Sequence, residues 1–210
     1  TAGNTASHYQ TASVTFECTP EIPDGGVDGG AGDQGVSDGG VDGGLASLLE
    51  CDRTHLVIES VDTETNEITL YNPTGTAITT NGNYQLAHDL GFEAVPALTF
   101  PAYGRMTFDA PGIIELGANQ TLALYTTASF GTRDAMVDYM CWGTGGTRPY
   151  LSVARTVGSD GTVLWDAGGC TAAATDATVY RVPSAEGNTA ADYTTTMPTE
   201  ALDCSPPITG

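Results

Sequence analysis

Asp24, Asp28, Asp33, Asp38 and Asp42 are the residues of this chain whose type and spacing suggest chemistry. They recur every four or five positions through DGGVDGGAGDQGVSDGGVDGG, in which ten of 21 residues are glycine and the heptad DGGVDGG occurs twice. A calcium ion takes six to eight oxygens. Carboxylates separated by glycine supply them, because a glycine backbone turns its carbonyls and its neighbours' side chains inward at little steric cost. Ordering the stretch without a ligand is unfavourable: fixing it costs about 20–40 kcal/mol of conformational entropy, while burying its three valines returns only about 5–6 kcal/mol. The same composition also describes a solvated linker. The spacing matches neither the EF-hand loop nor the calcium-binding nonapeptide repeat. Calcium is therefore expected from donor chemistry, with the five aspartates as its ligands.

No other stretch of the sequence reads as a catalytic or metal motif. His8, His55 and His88 lie far from one another, and Cys51, four residues before His55, forms the single Cys/His pair in ligand spacing, so a zinc site is not expected. No H-E-x-x-H pair or phosphate loop occurs, Gly143-Thr144-Gly145-Gly146 lacks the lysine such a loop needs, and the G-x-S-x-G pattern at 35–39 lies within the glycine–aspartate stretch and is not read as a nucleophile elbow. Asp160 and Asp166 are paired acids of the kind glycosidases use, but acids flanking a short strand are more often solvated or calcium ligands. The expectation is a protein that is not an enzyme.

Composition narrows the partners. Six arginines, no lysine and 26 acidic residues give a net charge of −20, which repels nucleic acid and anionic membranes. No apolar run reaches the 18 residues of a membrane span, so membrane insertion is not expected. Five cysteines without a C-x-x-C pair fit an oxidising, extracellular setting, and the opening TAGNTASHYQ reads as a mature product after signal-peptide removal. A secreted or surface location follows. Cys141 and Cys170 bracket the segment between them and are expected to bond, with Trp142 and Trp165 packed nearby. Cys18 and Cys51 flank the acidic stretch, and a bridge between them closes it into a loop; Cys51 with Cys204, joining the domain's ends, competes with that pairing. Asn119-Gln120-Thr121 is a glycosylation sequon by pattern.

The elements that position these groups read as strands. His8–Cys18 alternates, with Ala12, Val14, Phe16 and Cys18 on one side. Tethered by the acidic stretch, such a strand either completes its own sheet or adds to the edge of a neighbouring subunit. Strands are further predicted at 55–61, 67–71, 77–80, 84–88, 98–100, 105–108, 113–116, 121–125, 135–141, 150–156, 162–166 and 178–182. A hairpin loop is predicted at Ser159-Asp160-Gly161, and no helix longer than a turn or two. Short strands at this spacing argue an all-β sandwich.

Glu67-Ile68-Thr69-Leu70-Tyr71-Asn72-Pro73 resembles the first-hairpin signature of lamin-tail domains. The runs 112–125, 136–146 and 188–199 resemble that family's later strands and tail, so the similarity covers about residues 54–200. Where the family has tryptophan in a G-W-x-L pattern, this chain has Gly82-Asn83-Tyr84-Gln85-Leu86. The resemblance implies an immunoglobulin-like sandwich, secretion or surface attachment, and no catalysis. The expected organisation is an extension strand (1–19), an acidic calcium-binding segment (20–50), the sandwich (51–183) and an extended tail (184–210). Two functions fit: a structural subunit that self-associates into a filament or surface assembly through strand addition and calcium, or a monomeric module that recognises a glycan or protein with the acidic segment as spacer.

Overall fold

The computed structural model describes residues 50–206, apart from 90, 144–149, 167, 172–174 and 184–186. All of these fall in one unit, Gly43–Gly210.

The chain builds β1 (Val57–Asp62) and β2 (Glu67–Tyr71) as an antiparallel hairpin. Asp62 Oδ1 accepts the Glu64 and Thr65 amides at 2.9 Å each, and Asn66 completes the turn at φ 59°. Asparagine tolerates this left-handed conformation better than most residues. Its side chain also donates to Ile114 O and accepts from the Leu116 amide. After β2, Asn72 is fully buried: its amide group donates to Thr76 O and Pro101 O, and its Oδ1 accepts from Thr74. The Asn-Pro turn thus clamps two loops.

The remaining strands are β3 (Ile78–Thr79), β4 (Gln85–His88), β5 (Gly91–Ala94), β6 (Thr99–Phe100), β7 (Arg105–Asp109), β8 (Gln120–Tyr125), β9 (Met136–Trp142), β10 (Thr178–Arg181) and β11 (Tyr193–Thr194). They form a five-stranded sheet in the order β11-β10-β1-β2-β7, a four-stranded sheet in the order β5-β4-β8-β9, and the β3–β6 pair. Every pairing between named strands is antiparallel. The fold is all-β. Leu86, Leu124 and Asp138 form one row across β4, β8 and β9 that faces β1, while Ala87, Ala123 and Tyr139 form the next row on the opposite face. Ile58, Val61, Ile68 and Leu70 from one sheet and Leu86, Leu122, Leu124 and Met140 from the other share a single core.

Three predicted strands are corrected. Residues 113–116 and 162–166 run without strand pairing, and 150–156 contains a single helical turn, α1 (Leu151–Ala154). The carbonyl of Ala154 accepts both the Leu164 and Trp165 amides, so this segment folds back on itself. The predicted loop 159–161 is accordingly a turn between α1 and an irregular stretch, not the tip of a hairpin. The segment is held to the four-stranded sheet at several points. Tyr150 lies edge-on to Tyr125, Trp165 edge-on to Tyr139, and Cys170 is bonded to Cys141. Two strands, β5 and β11, were not predicted from sequence.

Candidate functional site

Asp24, Asp28, Asp33, Asp38 and Asp42, like Ala12, Val14, Phe16 and Cys18 of the predicted extension strand, lie outside the described residues. Among the described residues no three His, Cys, Asp or Glu side chains converge as a metal site would require, and no helix is long and apolar enough to cross a membrane. His55 Nδ1 meets the Tyr84 hydroxyl at 3.2 Å, and burial pushes its imidazole below the ordinary value. His88 is buried in β4.

The cysteine pairing is settled for four of the five. Cys141–Cys170 is formed as expected, and Trp142 and Trp165 are both fully buried nearby in sequence. Cys51, however, is bonded to Cys204, which replaces the Cys18–Cys51 closure of the acidic stretch. The physical reason is local: the Cys204 amide donates to the Tyr71 hydroxyl at 2.8 Å, and Leu202 is buried with Val57 and Tyr71 in a small second core, which brings the closing segment to the domain's entrance. Spanning 153 residues, the bond removes about 5 kcal/mol of loop-closure entropy from the unfolded chain. The fifth cysteine, Cys18, lies outside the described residues.

The two sheets end in edges of different kinds. At the outer side of β9, carbonyls that would otherwise be free are each taken. Val137 O accepts Arg53 at 2.9 Å, and Cys141 O accepts the Thr171 amide at 3.0 Å. Tyr139 O faces the Tyr193 hydroxyl at 3.2 Å, whose proton it shares with Gly187 O. Gly143, at φ 77°, ends this edge; a Cβ there would overlap Ala118 O, so only glycine fits. Behind the edge Asp138 is completely buried between Arg181 and Arg53. Asp138 Oδ2 also accepts the Ile58 amide at 2.6 Å, while Arg181 Nε donates to Ile58 O at 2.9 Å. Both polar groups of Ile58, stranded where the β1 register shifts, are thereby satisfied by side chains.

At β7 the ladder runs the other way. The Asn72 amide donates to Gly104 O, and the Ala110 amide to Asn66 O. These bonds fix the even-numbered residues of β7 as the hydrogen-bonded partners of β2. Arg105, Thr107 and Asp109 therefore turn their amides and carbonyls outward, where among the described residues nothing pairs with them. Their side chains are exposed, whereas Met106 and Phe108 point to the core and are only half-buried. Arg105 bonds Glu59 at 2.9 Å and Leu202 O at 2.6 Å and lies over the Tyr71 ring. Through the Cys51–Cys204 bond, the described chain begins beside this end of β7. Sequence reading missed β7 as an edge, although charged residues at the exposed positions of a strand are the chemistry by which edges are kept soluble.

A cleft of about 150 Å³ opens between Arg53, His55, Arg133, Asp134, Ser159 and Asp160. Its groups are mostly committed to the fold: Arg133 donates to Met136 O and Thr162, and Asp134 accepts the Ser159 amide at 2.7 Å. Burial would raise the Asp160 carboxyl, but its hydrogen bonds from Thr162 and the nearby Arg133 hold it below the usual carboxylate range. The arrangement stiffens the loop after β8 against the segment after α1. Comparison of the chain with family models, with curated proteins and with solved structures returns no match.

Proposed function

We propose that this protein is a secreted structural subunit of an extracellular filament or surface assembly, a use consistent with its resemblance to lamin-tail domains. Copies are joined by strand addition, and calcium held by Asp24, Asp28, Asp33, Asp38 and Asp42 firms the connecting segment. The observation that carries the reading is the pairing of a need with a means. The domain has an edge whose outward amides and carbonyls meet no partner among the described residues, and residues 8–18 have the alternation of a single additional strand. A head-to-tail contact of this kind need not close on itself, and repeated contacts give a filament. The two disulfides suit an oxidising exterior.

The test is the mass in solution, by light scattering, of the full chain in calcium, of the full chain in EDTA, and of a chain lacking residues 1–18. Assembly is expected only for the first, with EDTA loosening it and the truncation leaving monomers. A full chain that is monomeric in calcium would instead mark a binding module with an acidic spacer, and the proposal would fall.

A further inference from the structure

We infer that the outer edge of β7 is the acceptor for residues 8–18 of a second copy of this chain, with Ala12, Val14 and Phe16 laid over Met106 and Phe108. The inference rests on the assembly reading above and names the surface that performs it. Four strands end the two larger sheets, and three of them are poor acceptors. The outward carbonyls of β9 are filled by Arg53, Tyr193 and Thr171. β11 is two residues long. At β5 the Val95 amide donates to Tyr84 O, so only Phe92 and Ala94 turn their backbone outward, and Phe92 is stacked on Phe130. β7 alone turns three successive alternate residues outward along five residues of regular strand. Met106 and Phe108 leave apolar surface that one more strand would cover, and the donor offers apolar side chains at the same two-residue period.

The tether fits a donor that reaches outward. Thirty-one residues separate Cys18 from Glu50, with six carboxylates and no cation among them. Charge repulsion extends such a chain. Its full reach is roughly 100 Å, against a domain radius of gyration of about 15 Å, so its length alone permits residues 8–18 to meet a second copy. The described chain also begins beside Arg105, which places the root of one copy's tether next to the edge that accepts its neighbour's strand.

Proline substitution tests the edge. Thr107→Pro removes an outward amide and no backbone bond to β2, losing there only the exposed hydroxyl contact with Thr69. It is expected to leave the full chain in calcium monomeric with its thermal midpoint within a few degrees of wild type, about the effect of an exposed substitution. Ala94→Pro, on the β5 edge, should assemble as wild type does. Asp109→Pro, whose amide points the same way, replaces Thr107→Pro if that variant does not fold. If the β7 variants assemble normally while the chain lacking residues 1–18 is monomeric, β7 is not the acceptor, although strand-mediated assembly stands. If that truncated chain assembles too, the functional reading fails with it. Cys18 separates a neighbour's strand from the chain's own. Met106→Cys and Phe108→Cys are each equilibrated with oxidised glutathione and run on a non-reducing gel. Ladders of linked chains are expected. A cross-linked monomer, or no cross-link at either position in an assembled sample, overturns the inference.

Discussion

The β9 and β7 edges solve the same problem in opposite ways. Each ends a sheet, and each therefore turns backbone groups away from its last partner. At β9 the outward carbonyls are taken by a guanidinium, a hydroxyl and a short parallel bridge to Thr171, and the whole strand is buried except for Val137. At β7 the outward groups meet nothing among the described residues, and burial alternates between exposed and half-buried. The difference teaches where the fold is finished. A sheet edge closed by scattered side chains cannot take another strand without dismantling them, so addition is directed to the edge left open. Closing β9 required burying charge, and two arginines share Asp138 there.

The largest break in the contrast comes from removing that charge. Asp138→Ala strands Arg181 and Arg53 without their carboxylate and deprives the Ile58 amide of its acceptor. Taking one partner from a buried pair is expected to cost about 3–5 kcal/mol, read as a shift of the urea midpoint at constant slope. A loss below about 1 kcal/mol would mean that the closed edge does not depend on the ion cluster. Next come two prolines at directly opposed threonines. Thr69 and Thr107 face each other across β2 and β7 with their hydroxyls 2.8 Å apart. The Thr69 amide points to β1, so Thr69→Pro should cost about 3 kcal/mol. Thr107→Pro should stay within about 0.5 kcal/mol of wild type. Equal losses would show that β7 is not an open edge.

Much of this fold is legible in the sequence. Glu67–Tyr71 alternates with apolar residues inward and is a strand over the residues read, because period-two burial and a strong following turn agree there. The 150–166 segment departs from its predicted strands because Leu151, Val153 and Leu164 fit both a strand and a turn of helix wrapped over a sheet, and only the tertiary environment decides between them. Arg53, Arg133 and Asp138 carry no local signal of burial, since a charge enters a core only when a distant residue pairs with it. The partner of Cys51 was undecidable for a similar reason: it is set by where Leu202 and Tyr71 pack, not by spacing. Of the expected functional residues, the aspartates and the extension strand lie outside the described residues.

A smaller effect sharpens the account of β9. Tyr193→Phe keeps the ring that stacks on Trp165 and lies beneath the Arg181 guanidinium, but removes the proton shared by Tyr139 O and Gly187 O. Loss of these buried hydrogen bonds is expected to cost about 1–2 kcal/mol, with faster hydrogen exchange along β9 and no change along β2. Uniformly faster exchange would point to general loosening instead of a local cap.

The smallest effect concerns charge on the β7 side. Glu59, beside Arg105, is pulled two ways: burial raises its carboxyl above the ordinary 4.5, while Arg105 and Arg181 lower it, and burial wins. A carboxyl raised on folding binds its proton more tightly in the native state. Its contribution to stability is therefore complete below the unfolded value and is lost as pH rises through the native one. Glu59→Gln removes that dependence. At pH 7 the variant should lie within about 1 kcal/mol of wild type, since loss of the half-exposed ion pair is offset by relief of a buried charge. Lowering the pH toward 4.5 should then favour wild type relative to the variant, and comparing the two proteins cancels every other carboxylate. A difference that moved the opposite way would mean that Arg105 outweighs burial. The open edge would then begin with a fixed ion pair, and a strand docking there would have to accommodate it.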